Sequence, residues 1–147
     1  MDPGSTRQVL VVANKTAATP ALLEAVRERA SKGDVSFHLL VPNPDVGDWR
    51  PSGLQHPDFR HGDQVLALAL PLLEEAAGSH VSGSVSIRHD PMDAIEEAVG
   101  TGSYDEIILS TLPHHVSAWM HVDLPRRVEH LGLPLTTVLA RAAAGVG

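Results

Sequence analysis

At 147 residues and 15.6 kDa, with 43% apolar side chains, the chain is about one domain long, and a domain of that size buries roughly 68–70% of the surface its unfolded chain exposes, so it needs neither disulfide nor structural metal to fold. It contains no cysteine, which excludes a disulfide scaffold, thiol catalysis, a zinc finger and an iron–sulfur cluster, and fits a cytoplasmic setting. Eleven basic against 18 acidic residues give a formal charge of −7 with no Lys/Arg run, which argues against nucleic acid as a partner.

Met1 to Gln8 is short, polar and contains Asp2, unlike the basic and apolar regions of a secretory signal. No stretch approaches the roughly 20 apolar residues of a membrane span. A soluble, cytoplasmic, single-domain protein over residues 1–147 is expected. Val9-Leu10-Val11-Val12-Ala13 is a continuous apolar run, the pattern of a parallel strand buried on both faces. Thr19-Pro20 supplies a helix cap and a first-turn proline, followed by Leu22, Leu23, Val26 and Ala30 at helical spacing, with Gly33 as the stop. A second strand is predicted over Val35 to Val41. Pro42 to Gly62, with four prolines and three glycines, reads as a long loop: a lid, a partner surface or a mobile segment. Val65 to Ala77 places Leu66, Leu70 and Leu73 on one helical face, and Gly78 ends it.

Val81, Val85 and Ile87 alternate with polar residues, as on a strand near a sheet edge. Asp90-Pro91 repeats the cap-plus-proline start, with Ile95, Ala98 and Val99 as the apolar face of the next helix. Ile107-Ile108-Leu109 is a central fourth strand, Asp123-Leu124-Pro125 opens a short helix to about Leu131, and Leu135 to Ala140 is the fifth strand. Alternating strands and helices imply an α/β fold, an open five-stranded parallel sheet with helices on both faces.

The strand Val9 to Ala13, the helix start Asp90-Pro91-Met92-Asp93-Ala94-Ile95, the strand Asp105-Glu106-Ile107-Ile108-Leu109 and the segment Gly132-Leu133-Pro134-Leu135 together resemble the universal stress protein family over almost the entire chain. The resemblance implies strand order 3-2-1-4-5 and a ligand crevice where strands 1 and 4 diverge, the usual ligand position in open α/β sheets. Nucleotide-binding members carry a phosphate loop after strand 4: Gly, two residues, Gly, nine residues, Gly, then Ser or Thr, the glycines letting backbone amides close on phosphate. The corresponding positions here are Ser110, Pro113, Asp123 and Leu124. None is glycine. Anchoring on Arg127-Val128 moves the last pair to Val122 and Asp123, which restores nothing. Pro113 removes an amide donor, and Asp123 adds a carboxylate beside the phosphates. At the end of strand 1, where nucleotide-binding members have an acid, this chain has Asn14.

A small anion or nucleotide in the crevice would meet Asn14, Lys15, Thr16, Ser110, Thr111, Arg126 and Arg127. The two arginines sit in the first turn of the last predicted helix, where a cation is disfavoured by about 0.3–1 kcal/mol; either a bound anion offsets that, or Asp123 caps the helix and both side chains are solvated. His114, His115 and His121 follow strand 4 near Asp123. They lack the i, i+4 spacing of helical metal ligands, and adjacent extended residues point oppositely, so no metal is assigned. The other histidines, at 38, 56, 61, 80, 89 and 130, are scattered and read as structural or exposed. Protonating all nine would move the formal charge from −7 to +2, so acidification should change self-association.

Ser110 followed by His114 lacks a Gly-x-Ser-x-Gly elbow and an oxyanion hole, and Glu74-Glu75 and Glu96-Glu97 read as solvent-facing charge; no catalytic residue and no cofactor are assigned. Trp49 and Trp119 fall in loops, where an indole marks an interface or covers one end of the core. The fifth strand, Leu135, Thr136, Thr137, Val138 and Leu139, holds neither charge nor proline and is a sheet edge in the implied order. The family resemblance implies a twofold homodimer along it, with Trp119 as a further interface candidate. The expected function is a non-catalytic binding or regulatory module that does not bind ATP. The alternatives are an adenine-nucleotide-binding stress protein using Asn14 and an altered loop, and a metal-dependent enzyme using the histidines after strand 4.

Overall fold

Strands without polar alternation need cover on both faces, and the runs Val9 to Ala13 and Ile107 to Leu109 lie on neighbouring central strands. The computed structural model describes residues 6–13, 19–42, 59–86, 91–111 and 124–139. Strand β1 (Arg7–Val12) pairs in parallel with β2 (Val35–Val41) on one side and β4 (Glu106–Thr111) on the other. The outer neighbours, β3 (Val81–Val85) beside β2 and β5 (Leu135–Leu139) beside β4, are also parallel, giving the order β3-β2-β1-β4-β5.

Four helices connect them: α1 (Pro20–Ala30), α2 (Phe59–Ala77), α3 (Pro91–Thr101) and the six-residue α4 (Leu124–Glu129). Strand alternation divides the core in two. Val9, Val11, Phe37, Leu39 and Ile108 pack with Leu22 and Val26 of α1 and Ala69 and Leu73 of α2. Leu10, Val12, Leu40, Ile107 and Leu109 pack on the opposite face with Met92 and Ile95 of α3 and Leu124 and Val128 of α4. Two consecutive crossovers thus cover one face and the next two the other. Gly83 of β3 lets α2 sit close, since a Cβ there would lie 2.8 Å from Leu66 Cδ2.

Several elements depart from the sequence expectations. Helix α2 begins at Phe59, six residues before Val65, so the connection predicted to run from Pro42 to Gly62 is shorter. The stripe read from the sequence begins at Val65, which packs against the core. Thr19 occupies the N-cap position with extended backbone but makes no side-chain capping bond; Pro20 begins the helix, and the Leu23 amide donates to the Thr19 carbonyl at 3.1 Å. Glu74, read as solvent-facing, is only partly exposed. Its Oε2 accepts the Val81 amide at 3.1 Å and lies 2.8 Å from His80 Nδ1, joining α2 to the first residue of β3. Glu75, Glu96 and Glu97 lie on the outer faces of their helices. Gly78 ends α2 at φ +74°, a left-handed conformation that favours glycine. Ile87 and Ala140, predicted as strand residues, lie outside the described residues.

Arg29 near the end of α1 clamps Glu106 at the start of β4, Nε to Oε2 at 2.8 Å and Nη2 to Oε1 at 3.0 Å. This hydrogen bonding, opposed by burial and reinforced by the opposite charge, holds the guanidinium above its ordinary pKa. Among the described residues, no helix is long and apolar enough to cross a membrane.

Leu10 is fully buried, whereas Leu68 on α2 is 63% exposed. Leu10→Ala should therefore cost about 2–5 kcal/mol, while Leu68→Ala stays within about 0.5 kcal/mol of the parent, as read by urea denaturation.

Candidate functional site

In a parallel sheet all strands end at the same border, and a crevice opens where neighbouring crossovers leave on opposite faces. Here that point lies between β1 and β4, because α1 covers one face and α4 the other. Ala13, whose amide donates to the Leu40 carbonyl at 3.2 Å, extends β1 to this border. Ser110 and Thr111 end β4 there, 0% and 3% exposed, and Pro42 and Ser86 are buried at the ends of β2 and β3. Among the described residues the border is small, hydroxyl-bearing and uncharged.

Of the sequence candidates, Ser110 and Thr111 are at this border. Arg126 and Arg127 are exposed on the outer side of α4, whose inner residues Leu124 and Val128 are fully buried. The helix has only six residues, so both arginines fall in its last turn. In so short a helix the first and last turns share these positions, so the dipole gives neither a clear cost nor a clear gain at the arginines. Asn14, Lys15, Thr16, Trp49, His114, His115, Trp119 and His121, with Pro113 and Asp123 of the altered loop, lie outside the described residues. Leu124, at the position where the family resemblance places a phosphate-binding Ser or Thr, is instead a core side chain beneath α4. Thr136, Thr137 and Leu139 are exposed on β5, and Leu135 and Val138 are half-buried. Among the described residues, no group of three His, Cys, Asp or Glu is placed to hold a metal.

One cluster was not legible as a site in the sequence. His38 of β2 pairs in register with Ser82 of β3. Its Nδ1 lies 2.7 Å from Ser82 Oγ and its Nε2 2.8 Å from Ser84 Oγ. Tyr104 packs near the imidazole, ring centroids 6.4 Å apart and tilted by 46°. Burial pushes the His38 pKa down and the Tyr104 pKa up, which favours the neutral imidazole. The signal was Ser82-x-Ser84 at strand period, but it becomes a site only when β2 and β3 are aligned.

The fold matches solved structures. The structure of a universal stress protein from Archaeoglobus fulgidus has a TM-score of 0.64 at 13% identity, covering 90% of this chain and 93% of that one. A universal stress protein from the same organism in complex with dAMP gives 0.61 at 13% identity, covering 91% and 98%. A universal stress protein family member from Burkholderia pseudomallei gives 0.52 at 16% identity, covering 94% and 100%. The likeness establishes the universal stress protein fold, with the strand order the sequence resemblance implied. No protein-family model matches the chain, and no curated protein matches its sequence.

Because its folded-state pKa is lowered, His38 contributes stability that is full above the unfolded value of about 6.5 and is lost as the pH falls through the folded value. Melting curves between neutral and acidic pH should show the parent losing more stability than His38→Gln. Equal losses would show that His38 does not carry this dependence.

Proposed function

We propose that the chain is a universal stress protein-type binding or regulatory module whose crevice is non-catalytic and does not hold ATP through a phosphate loop. The observation that supports this reading is Leu124, fully buried in the core at the position where the family resemblance, counted from the end of β4, calls for a phosphate-binding hydroxyl; anchored on Arg127-Val128 that position is Asp123, a carboxylate. A leucine side chain offers a phosphate no hydrogen bond. The sequence adds Pro113, which has no amide hydrogen, and Asp123, which brings negative charge. The −7 formal charge of the chain also opposes a triphosphate.

A second reading has one specific support, the structural neighbour bound to dAMP. A nucleoside monophosphate carries less charge and needs fewer phosphate donors. Ser110 and Thr111 at the border, with Asn14, Lys15 and Thr16 beyond β1, are the residues proposed to meet it.

The module is further proposed to act as a homodimer joined along β5. Ile107 donates to the Pro134 carbonyl at 2.9 Å, and the parallel ladder then turns the Thr136 and Val138 amides toward β4 and the Thr137 amide outward. Leu139 is 49% exposed on the same edge. Such an edge favours pairing with another chain, and a second copy satisfies it by twofold symmetry.

Thermal unfolding with millimolar magnesium ATP and, separately, dAMP tests the crevice. A ligand at about 100 times its Kd stabilises by about 2.7 kcal/mol. No shift with ATP is expected; a clear shift overturns the first reading, and a shift with dAMP alone establishes the second. Light scattering in dilute solution should give the dimer mass. Thr137→Pro should give a folded monomer, since it removes an outward donor and spares the β4 ladder.

A further inference from the structure

The β2–β3 cluster lies mid-strand on the sheet face, away from the border that forms the crevice, and its chemistry is different. His38, Ser82 and Ser84 place two hydroxyls on the two nitrogens of one imidazole, at 2.7 and 2.8 Å. Those are the distances of a general base and its nucleophile. The serines are not equivalent: Ser82 is exposed and Ser84 half-buried. We propose that Ser82 is a base-activated nucleophile that accepts acyl groups from small activated esters, with His38 as its base and Ser84 as the residue that positions the ring.

This assignment fixes the protons. For Nδ1 to accept from the Ser82 hydroxyl, the ring must be neutral with its proton on Nε2, and that N–H then donates to Ser84 Oγ. Ser84 thereby selects the tautomer, as the third member of a triad does. Burial of the ring favours the neutral form this requires.

Access comes from the edge position of β3. The strand's hydrogen-bond phase is fixed at both ends. The Ser86 amide donates inward to the Val41 carbonyl at 2.9 Å, and the Val81 amide donates to Glu74. The alternation between them turns the Ser82 and Ser84 amides toward β2 and the Gly83 amide outward, along the edge that no other described strand pairs with. The amide following a nucleophile is a common donor to the developing oxyanion. Gly83 itself contributes no side chain beside that amide.

In the reaction, Ser82 Oγ attacks the ester carbonyl carbon while its proton passes to His38 Nδ1. The tetrahedral adduct expels the alcohol, which takes that proton, and acyl-Ser82 remains. Water activated by the same nitrogen then cleaves the serine ester, releasing the carboxylic acid and restoring the hydroxyl.

The test uses the full chain with p-nitrophenyl acetate near neutral pH, followed by nitrophenolate release, intact mass and peptide mapping. One acetyl group is expected on Ser82, formed much faster than on Ser103, an exposed serine elsewhere. His38→Gln should slow acetylation by about 100-fold, in line with the loss of a general base. Ser84→Ala should slow it less while leaving Ser82 the modified residue. The rate should rise with pH through an inflection below the ordinary histidine value of about 6.5 and then level off. Ser82→Ala should abolish the label while the chain still unfolds in one cooperative transition, lowered only by the loss of a single hydrogen bond. Acetylation of Ser82 no faster than of Ser103, or unchanged by His38→Gln, would overturn the proposal. Peptide mapping on the parent chain compares Ser82 with Ser103 even where a variant folds poorly, and the nucleotide experiments on the crevice do not bear on it.

Discussion

The structure depends on the burial of β1 and β4 from both sides. Val9 to Ala13 have no exposed surface, and Ile107 to Leu109 almost none, so neither strand tolerates water on either face. Each buried branched or leucine side chain contributes about 1.5–3 kcal/mol, and in a parallel pair that cover comes from crossover helices. Right-handed crossovers through α1 and α2 carry the chain outward from β1 on one face, and α3 returns it across the other face to β4. The crevice follows from this reversal. Its position is therefore set by the core rather than by any residue that would bind a ligand.

Polarity rises away from that centre, and the two edges treat it differently. On β3, the outward amide of Val81 is taken by Glu74, which itself meets His80. A carboxylate delivered from the adjacent helix protects the edge at its first residue. On β5, Thr136, Thr137 and Leu139 are exposed, and the strand contains no charge or proline. The same asymmetry explains the location of the imidazole cluster. His38 shares a register row with the buried Leu10 on one side and with Ser82 on the other, so one flank of the ring is desolvated by the core while the other faces an accessible hydroxyl.

The altered phosphate loop shows how sequence and structure divide the work. The absence of its glycines is legible directly, because their role is local: a backbone amide approaches phosphate only where no side chain intervenes. The fate of Leu124 is not local. In sequence it is one apolar residue before a proline; in the structure it completes the layer made by Leu10, Ile107 and Ile95. The arginines next to it show the same limit. Their relation to the helix dipole depends on how short α4 is: it ends at Glu129, ahead of the left-handed Gly132.

The sequence by itself determined the order of elements, the two strands buried on both faces, and the faces of α1 and α3, since periodicity along one element reports how much of it meets water. Only the tertiary structure decided the start of α2, the carboxylate cap on β3, and the meeting of His38 with Ser82 and Ser84. That last cluster joins residues as far apart as 46 positions in the chain. Their contact depends on strand register, which is fixed by how two separate elements pack together and not by the pattern within either.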